Sequence, residues 1–332
     1  PAPSTVHFCL SVIRCLTAVM LHGLLIIATM DTTTLTGQYA RVLSIAGSDS
    51  GGAAGIQADL KTFSALGCYG MTAITALTAQ NTLGVQAIHG VPSAFLKTQL
   101  QSVLEDIGVD AIKIGMLHSP DVVEVVAWAI DHYRLKNVVL DPVMVATSGD
   151  RLIAEETVDV LVKQLFPRVQ LVTPNLDEAG LLLNQTLEDR QALTNAAQAL
   201  LNLGAQAVLL KGGHLSGDIL SDVLHVKGSQ PAVFDATRIH SRNVHGTGCS
   251  LSSAIAANLA LGFALVPAVE KARNFIRQAI AQGAAVKTGE GHGHQWWALL
   301  HAWSLNPACP ESPQTVEQTL NSVSARMALS CA

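Results

Sequence analysis

Along one unbroken stretch beginning at Arg41, the period of hydrophobicity in this chain switches back and forth between that of a strand and that of a helix. Val42-Leu43-Ser44-Ile45-Ala46 reads as a short apolar strand, and Ile56, Leu60, Phe63 and Leu66 then recur at helical spacing until Gly67 stops the helix. Residues 71–78 read as the next strand, and Ser93 is expected to cap a helix that buries Phe95, Leu96, Leu100, Val103, Leu104 and Ile107. Strand returns over 111–116, Pro120 opens a helix reaching residue 133, 137–140 is a strand, and 157–166 is helical again. Residues 169–172 and 207–210 supply two more strands. Such strands, apolar on both faces and separated by helices, need a mostly parallel sheet covered on each side. Over 219–239 the rhythm changes to short strands around Gly228-Ser229-Gln230-Pro231, an antiparallel insertion. Gly246-Thr247-Gly248 then launches a small-residue helix to residue 261, and a second helix follows over 266–286. In sheets of this kind ligands bind at the carboxyl ends of the strands.

No linker divides this middle part, so one domain over 41–305 is expected, which a chain of 332 residues accommodates. Residues 1–40 are read as an N-terminal extension outside the fold. The apolar run over 16–29 is short for a membrane span and lacks the flanks of a signal peptide, and Met30 is the expected natural start. Residues 306–332, rich in Pro, Ser, Thr and Gln, are read as a disordered tail. With 20 Lys+Arg against 25 Asp+Glu, a net charge of −5 and no basic run, nucleic acid is not an expected partner, and neither is a membrane. Cys9, Cys15, Cys68, Cys249, Cys309 and Cys331 form no C-x-x-C pair, which argues against a zinc site or disulfide framework and for a reducing, cytoplasmic setting.

Several strand ends carry chemistry. His245-Gly246-Thr247-Gly248-Cys249-Ser250 places two glycines and free backbone N–H groups at a helix start, where the dipole favours an anion. The alternative is a glycine turn that only lets the helix pack closely. Cys249 falls in the first helical turn, where a thiol pKa tends to drop. The loop Ala46-Gly47-Ser48-Asp49-Ser50-Gly51-Gly52-Ala53-Ala54-Gly55 also allows close backbone approach, yet neither a G-x-G-x-x-G nor a P-loop spacing occurs. Asp59 lies on the helix behind it, as a solvated residue or a substrate contact. Asp141, Asn175 and Glu178 stand at strand ends and together suit hydrated Mg²⁺, although each alone fits a turn or helix cap. Leu210-Lys211-Gly212-Gly213-His214 sets a cation beside two glycines, fit for a phosphate chain, and Gln80-Asn81-Thr82 offers amides to a heterocycle. His292, His294 and His301 lack ligand spacing and read as a surface loop.

The order of these motifs resembles one family. A-G-S-D-S-G-G-A-A-G-I-Q-A-D-L-K-T-F at 46–63, T-A-L-T-A-Q-N-T at 75–82, K-I-G-M-L at 113–117, V-V-L-D-P-V-M at 138–144, T-P-N at 173–175, L-K-G-G-H at 210–214 and H-G-T-G-C at 245–249 are similar to the hydroxymethylpyrimidine/phosphomethylpyrimidine kinases of the ribokinase-like superfamily. The resemblance, over about residues 41–290, implies a three-layer α/β sandwich and ATP- and Mg²⁺-dependent phosphorylation of 4-amino-5-hydroxymethyl-2-methylpyrimidine and then of its monophosphate, in thiamine biosynthesis. By motif position it implies that Gln80 recognises the pyrimidine, with Gly47, Asp59, Thr78 and Met116 lining the pocket. It further implies an anion hole of Gly246, Thr247 and Gly248, and Lys211 on the ATP phosphates with Thr173, Asn175 and His214 nearby. Asp141 and Glu178 would serve the magnesium, Cys249 would take the hydroxyl proton, and the protein would be a homodimer. The competing readings are a pyridoxine/pyridoxal kinase on the same fold and a pyrimidine-binding protein without catalysis.

Overall fold

The computed structural model describes residues 38–144, 152–187, 190–213, 215, 217–284, 289 and 291. The expectations for residues 1–37, for the loop at His292 to His301 and for the tail lie outside these residues, as does His214.

Among the described residues nine strands form one sheet in the order β3-β2-β1-β4-β5-β6-β7-β8-β9. In chain order they are β1 (Arg41–Asp49), β2 (Tyr69–Asn81), β3 (Gly84–Gly90), β4 (Ala111–Ile114), β5 (Val138–Leu140), β6 (Leu171–Val172), β7 (Ala207–Leu210), β8 (Ile219–Val226) and β9 (Ala232–Thr237). From β2 across to β7 every pairing is parallel, whereas β3, β8 and β9 add antiparallel margins. The helices are α1 (Gly55–Ala65), α2 (Ser93–Asp106), α3 (Pro120–His132), α4 (Glu155–Leu165), α5 (Leu176–Leu183), α6 (Arg190–Asn202), α7 (Thr247–Ala260) and α8 (Leu265–Gly283).

Alternate residues of each central strand face opposite layers. Leu43, Ile45, Ile112, Ile114, Val138, Leu140, Val208 and Leu210 join the cluster with α2 through α6. Val42, Ala111, Val139, Leu171, Ala207 and Leu209 join the other, with Phe63 of α1 and the buried faces of α7 and α8. Both strand faces are covered, which explains the continuous apolar runs and gives the three layers the resemblance implied. At the amino end of β1, Arg41 clamps Asp110 through Nε and Nη2, at 3.0 and 2.8 Å from its two carboxylate oxygens, and ties β1 to the turn entering β4.

Some local readings change. Ser93 does not cap α2: Pro92 precedes the helix and no side chain caps its amides. Phe95 is exposed and Ile107 at the margin, leaving Leu96 and Leu100 as the buried stripe. Strand β3 went unpredicted because its residues are mostly exposed and present no apolar face. Helix α5 was not among the expected elements; Asn175 and Glu178 close its start, the Asn175 side chain accepting from the Glu178 N–H and the Glu178 carboxylate from the Asn175 N–H, a capping box.

Candidate active site

Every sheet strand from β1 to β7 that runs parallel delivers its carboxyl end to one cleft of about 1070 Å³. At the end of β1, the Asp49 carboxylate accepts the backbone N–H groups of Gly51, Ala53 and Ala54 at 2.8–2.9 Å, which folds the following loop around it. Burial works against this charge, but His245 and those amides outweigh it and hold the carboxyl down at about 2. The loop rests on Gly246, whose φ of +80° only glycine adopts freely, and a Cβ there would stand 1.9 Å from the Ala53 carbonyl oxygen. Gly246 is the N-cap of α7. First-turn amides of a helix lack carbonyl partners inside it, so those of Gly248 and Cys249 are available to an anion.

The charged groups of the site meet on the far side of that turn. Lys211 Nζ donates to Asp141 Oδ1 at 2.9 Å and lies 3.3 Å from where a Cβ of Gly248 would be. Thr173 Oγ1 donates to the same Asp141 oxygen at 3.1 Å. The ends of β6 and β7 stay paired into the site, since Asn175 and Lys211 form a parallel bridge and Lys211 N–H donates to Pro174 O at 2.9 Å. Burial opposes the charges of Asp141 and Lys211, yet their mutual attraction wins, so the carboxyl is lowered and the ammonium raised. Glu178 is different: burial, with Asp141 nearby, pushes it up to about 7 despite Lys211. Asn175 spends its side chain on the α5 cap.

Two sequence-stated roles come out differently in these surroundings. Burial drives the Cys249 thiol up to about 11, only partly offset by Lys113, so the helix-start effect is overruled and the group is a thiol at neutral pH. Asp59 does not reach the cleft. It is wholly buried, taking Lys113 Nζ at 2.9 and 3.0 Å, Ser44 Oγ at 2.5 Å and Ser253 Oγ at 2.6 Å. Three donor groups make four contacts with its two oxygens and offset part of the burial that raises the carboxyl. Asp59 thereby joins α1 to β1, β4 and α7.

Gln80, Thr78, Gly47 and Met116 do line the cleft, at the ends of β1, β2 and β4. A Cβ on Gly47 would stand 3.3 Å from Met116 Cε, so glycine keeps this wall open. Thr78 Oγ1 lies 3.0 Å from Ser48 O and 3.1 Å from one end of the Gln80 amide, whose other end lies 3.2 Å from His245 Nε2. The sequence reading quoted Lys113 and His245 inside motifs without giving them roles. It gave no sign of Arg238, Arg242, Arg273 and Arg277, which line the cleft's far end from after β9 and from α8.

A parallel sheet whose strand ends assemble a helix-start anion cradle, a lysine and an acidic pair beside an amide-bearing pocket defines a ribokinase-like small-molecule phosphotransferase. The phosphomethylpyrimidine kinase family profile matches residues 49–296. A hydroxymethylpyrimidine/phosphomethylpyrimidine kinase of Rhizobium meliloti is 46% identical over 264 residues, covering 78% of this chain and 98% of that protein. The crystal structure of Clostridium difficile phosphomethylpyrimidine kinase superposes with a TM-score of 0.64 at 41% identity, over 72% of this chain and 99% of the other. Bacillus subtilis pyridoxal kinase, solved as an ADP complex, gives 0.72 at 36% identity over 78% and 99%. The chain belongs to the phosphomethylpyrimidine kinase family.

Proposed function

We propose that the protein transfers the γ-phosphoryl group of ATP to the hydroxymethyl group of 4-amino-5-hydroxymethyl-2-methylpyrimidine, and then a second phosphoryl group to the monophosphate, as a cytoplasmic step of thiamine diphosphate formation. The observation that carries this reading is the convergence in one cleft of the Gly246–Gly248 turn, Lys211 and the Asp141–Glu178 pair with an amide-lined pocket at Gln80. Phosphoryl transfer asks for alignment and charge neutralisation, which these groups supply without a covalent intermediate. Lys211 serves the ATP phosphates, with Thr173 and Asn175 at its side. The Gly246-Thr247-Gly248 turn presents the N–H groups of Gly248 and Cys249 to the transferred group, the Thr247 N–H being spent on the Val244 carbonyl, while Gln80, Gly47, Thr78 and Met116 hold the ring. The hydroxymethyl oxygen bonds to the γ-phosphorus as the β–γ bridging oxygen leaves with ADP. A thiol at about 11 is a weak acceptor for the hydroxyl proton. In a loose transition state that proton comes off late and passes to a phosphoryl oxygen, with Cys249 positioning the hydroxyl.

Among the described residues no three His, Cys, Asp or Glu gather as a metal cage. Two hard carboxylates, Asp141 and Glu178, the latter raised by burial and by Asp141 beside it, fit a hydrated Mg²⁺ that would complete its shell with water and phosphate oxygens. When bound, the ion neutralises phosphate charge. Because the folded value of Glu178 lies above the ordinary 4.5, its effect on the metal-free fold is most favourable at low pH and is lost as pH rises through about 7. Mg²⁺ competes with that same proton. The Mg²⁺ concentration for half-maximal activity is therefore expected to fall about tenfold between pH 6 and pH 8, and to lose that dependence in Glu178→Gln. Mg²⁺ titrations at three pH values check this, and a flat profile for the unmodified enzyme rejects Glu178 as a ligand.

A second reading, pyridoxal kinase, is favoured by the likeness to the Bacillus subtilis enzyme. Incubation with Mg-ATP and, separately, the hydroxymethylpyrimidine, its monophosphate and pyridoxal, with products resolved by mass, decides between them. Appearance of both pyrimidine phosphates is the expected result; turnover of pyridoxal alone reverses the substrate assignment. Two copies are expected to pair, and sedimentation at twice the chain mass checks it.

A further inference from the structure

The contact between Gln80 and His245 spans 165 positions of sequence and belongs to no role assigned so far. Hydrogen counting settles how its members are arranged. Thr78 has one hydroxyl hydrogen and two neighbours within reach, Ser48 O at 3.0 Å and the Gln80 amide at 3.1 Å. His245 Nε2 likewise faces two groups, the Gln80 amide at 3.2 Å and Asp49 Oδ2 at 3.6 Å. Asp49 is ionised, and a bare imidazole lone pair turned toward a carboxylate would be repelled, so Nε2 carries hydrogen. The amide end toward His245 is then the carbonyl oxygen, which accepts, and the opposite end is the NH₂, which donates to Thr78 Oγ1. Thr78 is left free to donate to Ser48 O, a carbonyl that can only accept. In the reversed arrangement two donors, or a lone pair and a carboxylate, would face each other. Amide ends are alike in shape and are distinguished only by such a network.

We propose that His245 is a positioning residue for the acceptor ring, acting through Gln80: it fixes which end of the amide is the donor. The amide edge left toward the cleft is then one N–H beside one carbonyl lone pair, in a single order. That edge matches a ring nitrogen next to an exocyclic amino group, the pattern of a 4-aminopyrimidine, in one orientation of the ring. With Asp49 held by three backbone amides, the chain Asp49–His245–Gln80 refers this choice back to the loop that also supports Gly246. The proposal rests on the pyrimidine reading of the site.

The test is a double-mutant cycle of His245→Ala and Gln80→Ala, read as the dissociation constant of 4-amino-5-hydroxymethyl-2-methylpyrimidine by calorimetry and as the KM for ATP, with thermal melting to establish folding. His245→Ala is expected to weaken pyrimidine binding about tenfold, the worth of one lost hydrogen bond, with the KM for ATP within twofold. In the Gln80→Ala background the same change is expected to have no further effect. His245→Gln, whose amide N–H stands where Nε2–H does, is expected to restore most of the binding. If His245→Ala does not fold, His245→Gln and His245→Asn are compared in its place, since the shorter amide does not reach Gln80. Equal binding by those two, additive effects in the cycle, or a loss seen mainly in the KM for ATP would overturn the proposal. If the unmodified enzyme binds no pyrimidine, the substrate reading falls and takes the proposal with it; if it binds pyrimidine and the cycle is additive, only the role of His245 falls.

Discussion

Gly246→Ala is expected to lower kcat by at least about two orders of magnitude, the scale of losing an oxyanion-type donor. At a φ of +80° an added Cβ is strained and would meet the Ala53 carbonyl oxygen at 1.9 Å. A backbone atom cannot swing aside as a side chain does, so either the loop after β1 or the start of α7 must shift. Either movement turns the Gly248 and Cys249 amides away from the cleft. Since the strain is local and α7 is buried over most of its length, melting should change far less than turnover. Steady-state kinetics with ATP and the hydroxymethylpyrimidine, beside a melting curve, measures both. A kcat within a few-fold of the unmodified enzyme would remove this turn from the phosphoryl-transfer machinery.

Lys113→Met is the second large effect, and it falls on stability. Lys113 and Asp59 are both fully buried, and Asp59 also receives Ser44 and Ser253. Removing the ammonium strands a carboxylate among four elements, for which about 3–5 kcal/mol of destabilisation is expected. Urea unfolding measures it. The reverse comparison is more informative: Lys113→Met combined with Asp59→Leu removes both charges and should recover much of the loss, because a buried pair replaced by apolar side chains is often near neutral. A single variant no less stable than the parent would mean that Asp59 simply takes up a proton when Lys113 goes.

How far the sequence spoke depended on whether the deciding partners were local. Strands β1, β4, β5 and β7 are apolar on both faces and could be read directly, as could the glycines that begin α7. Asp59 could not: it shares the buried face of α1 with Ile56 and Phe63, but what balances a carboxylate there is Lys113 and Ser253, the latter 194 positions away. The Cys249 thiol shows one physical effect overruling another, since the helix start favours a thiolate while burial on the sheet favours the neutral form more strongly. Strand β3 carries no inward-facing apolar residues to announce it. Asn175 and Glu178 were recognised for their chemistry, while their reciprocal cap, equally visible in the four-residue spacing, passed unread.

The bridge between Asn175 and Lys211 carries a wider meaning. It continues the β6–β7 ladder, in which Val172 pairs with Val208, into the place where the acidic residues and the lysine stand. The spacing of Asn175 and Lys211 is thus graduated by the peptide repeat itself, like marks on a ruler, while Asp141 follows directly from the end of β5 and Glu178 from the first turn of α5. The groups proposed to grip the acceptor line the cleft on the other half of the sheet, at the ends of β1, β2 and β4. A lineage can then exchange the alcohol it accepts by altering that half while the donor half keeps its measure, and one frame comes to serve different flat heterocycles.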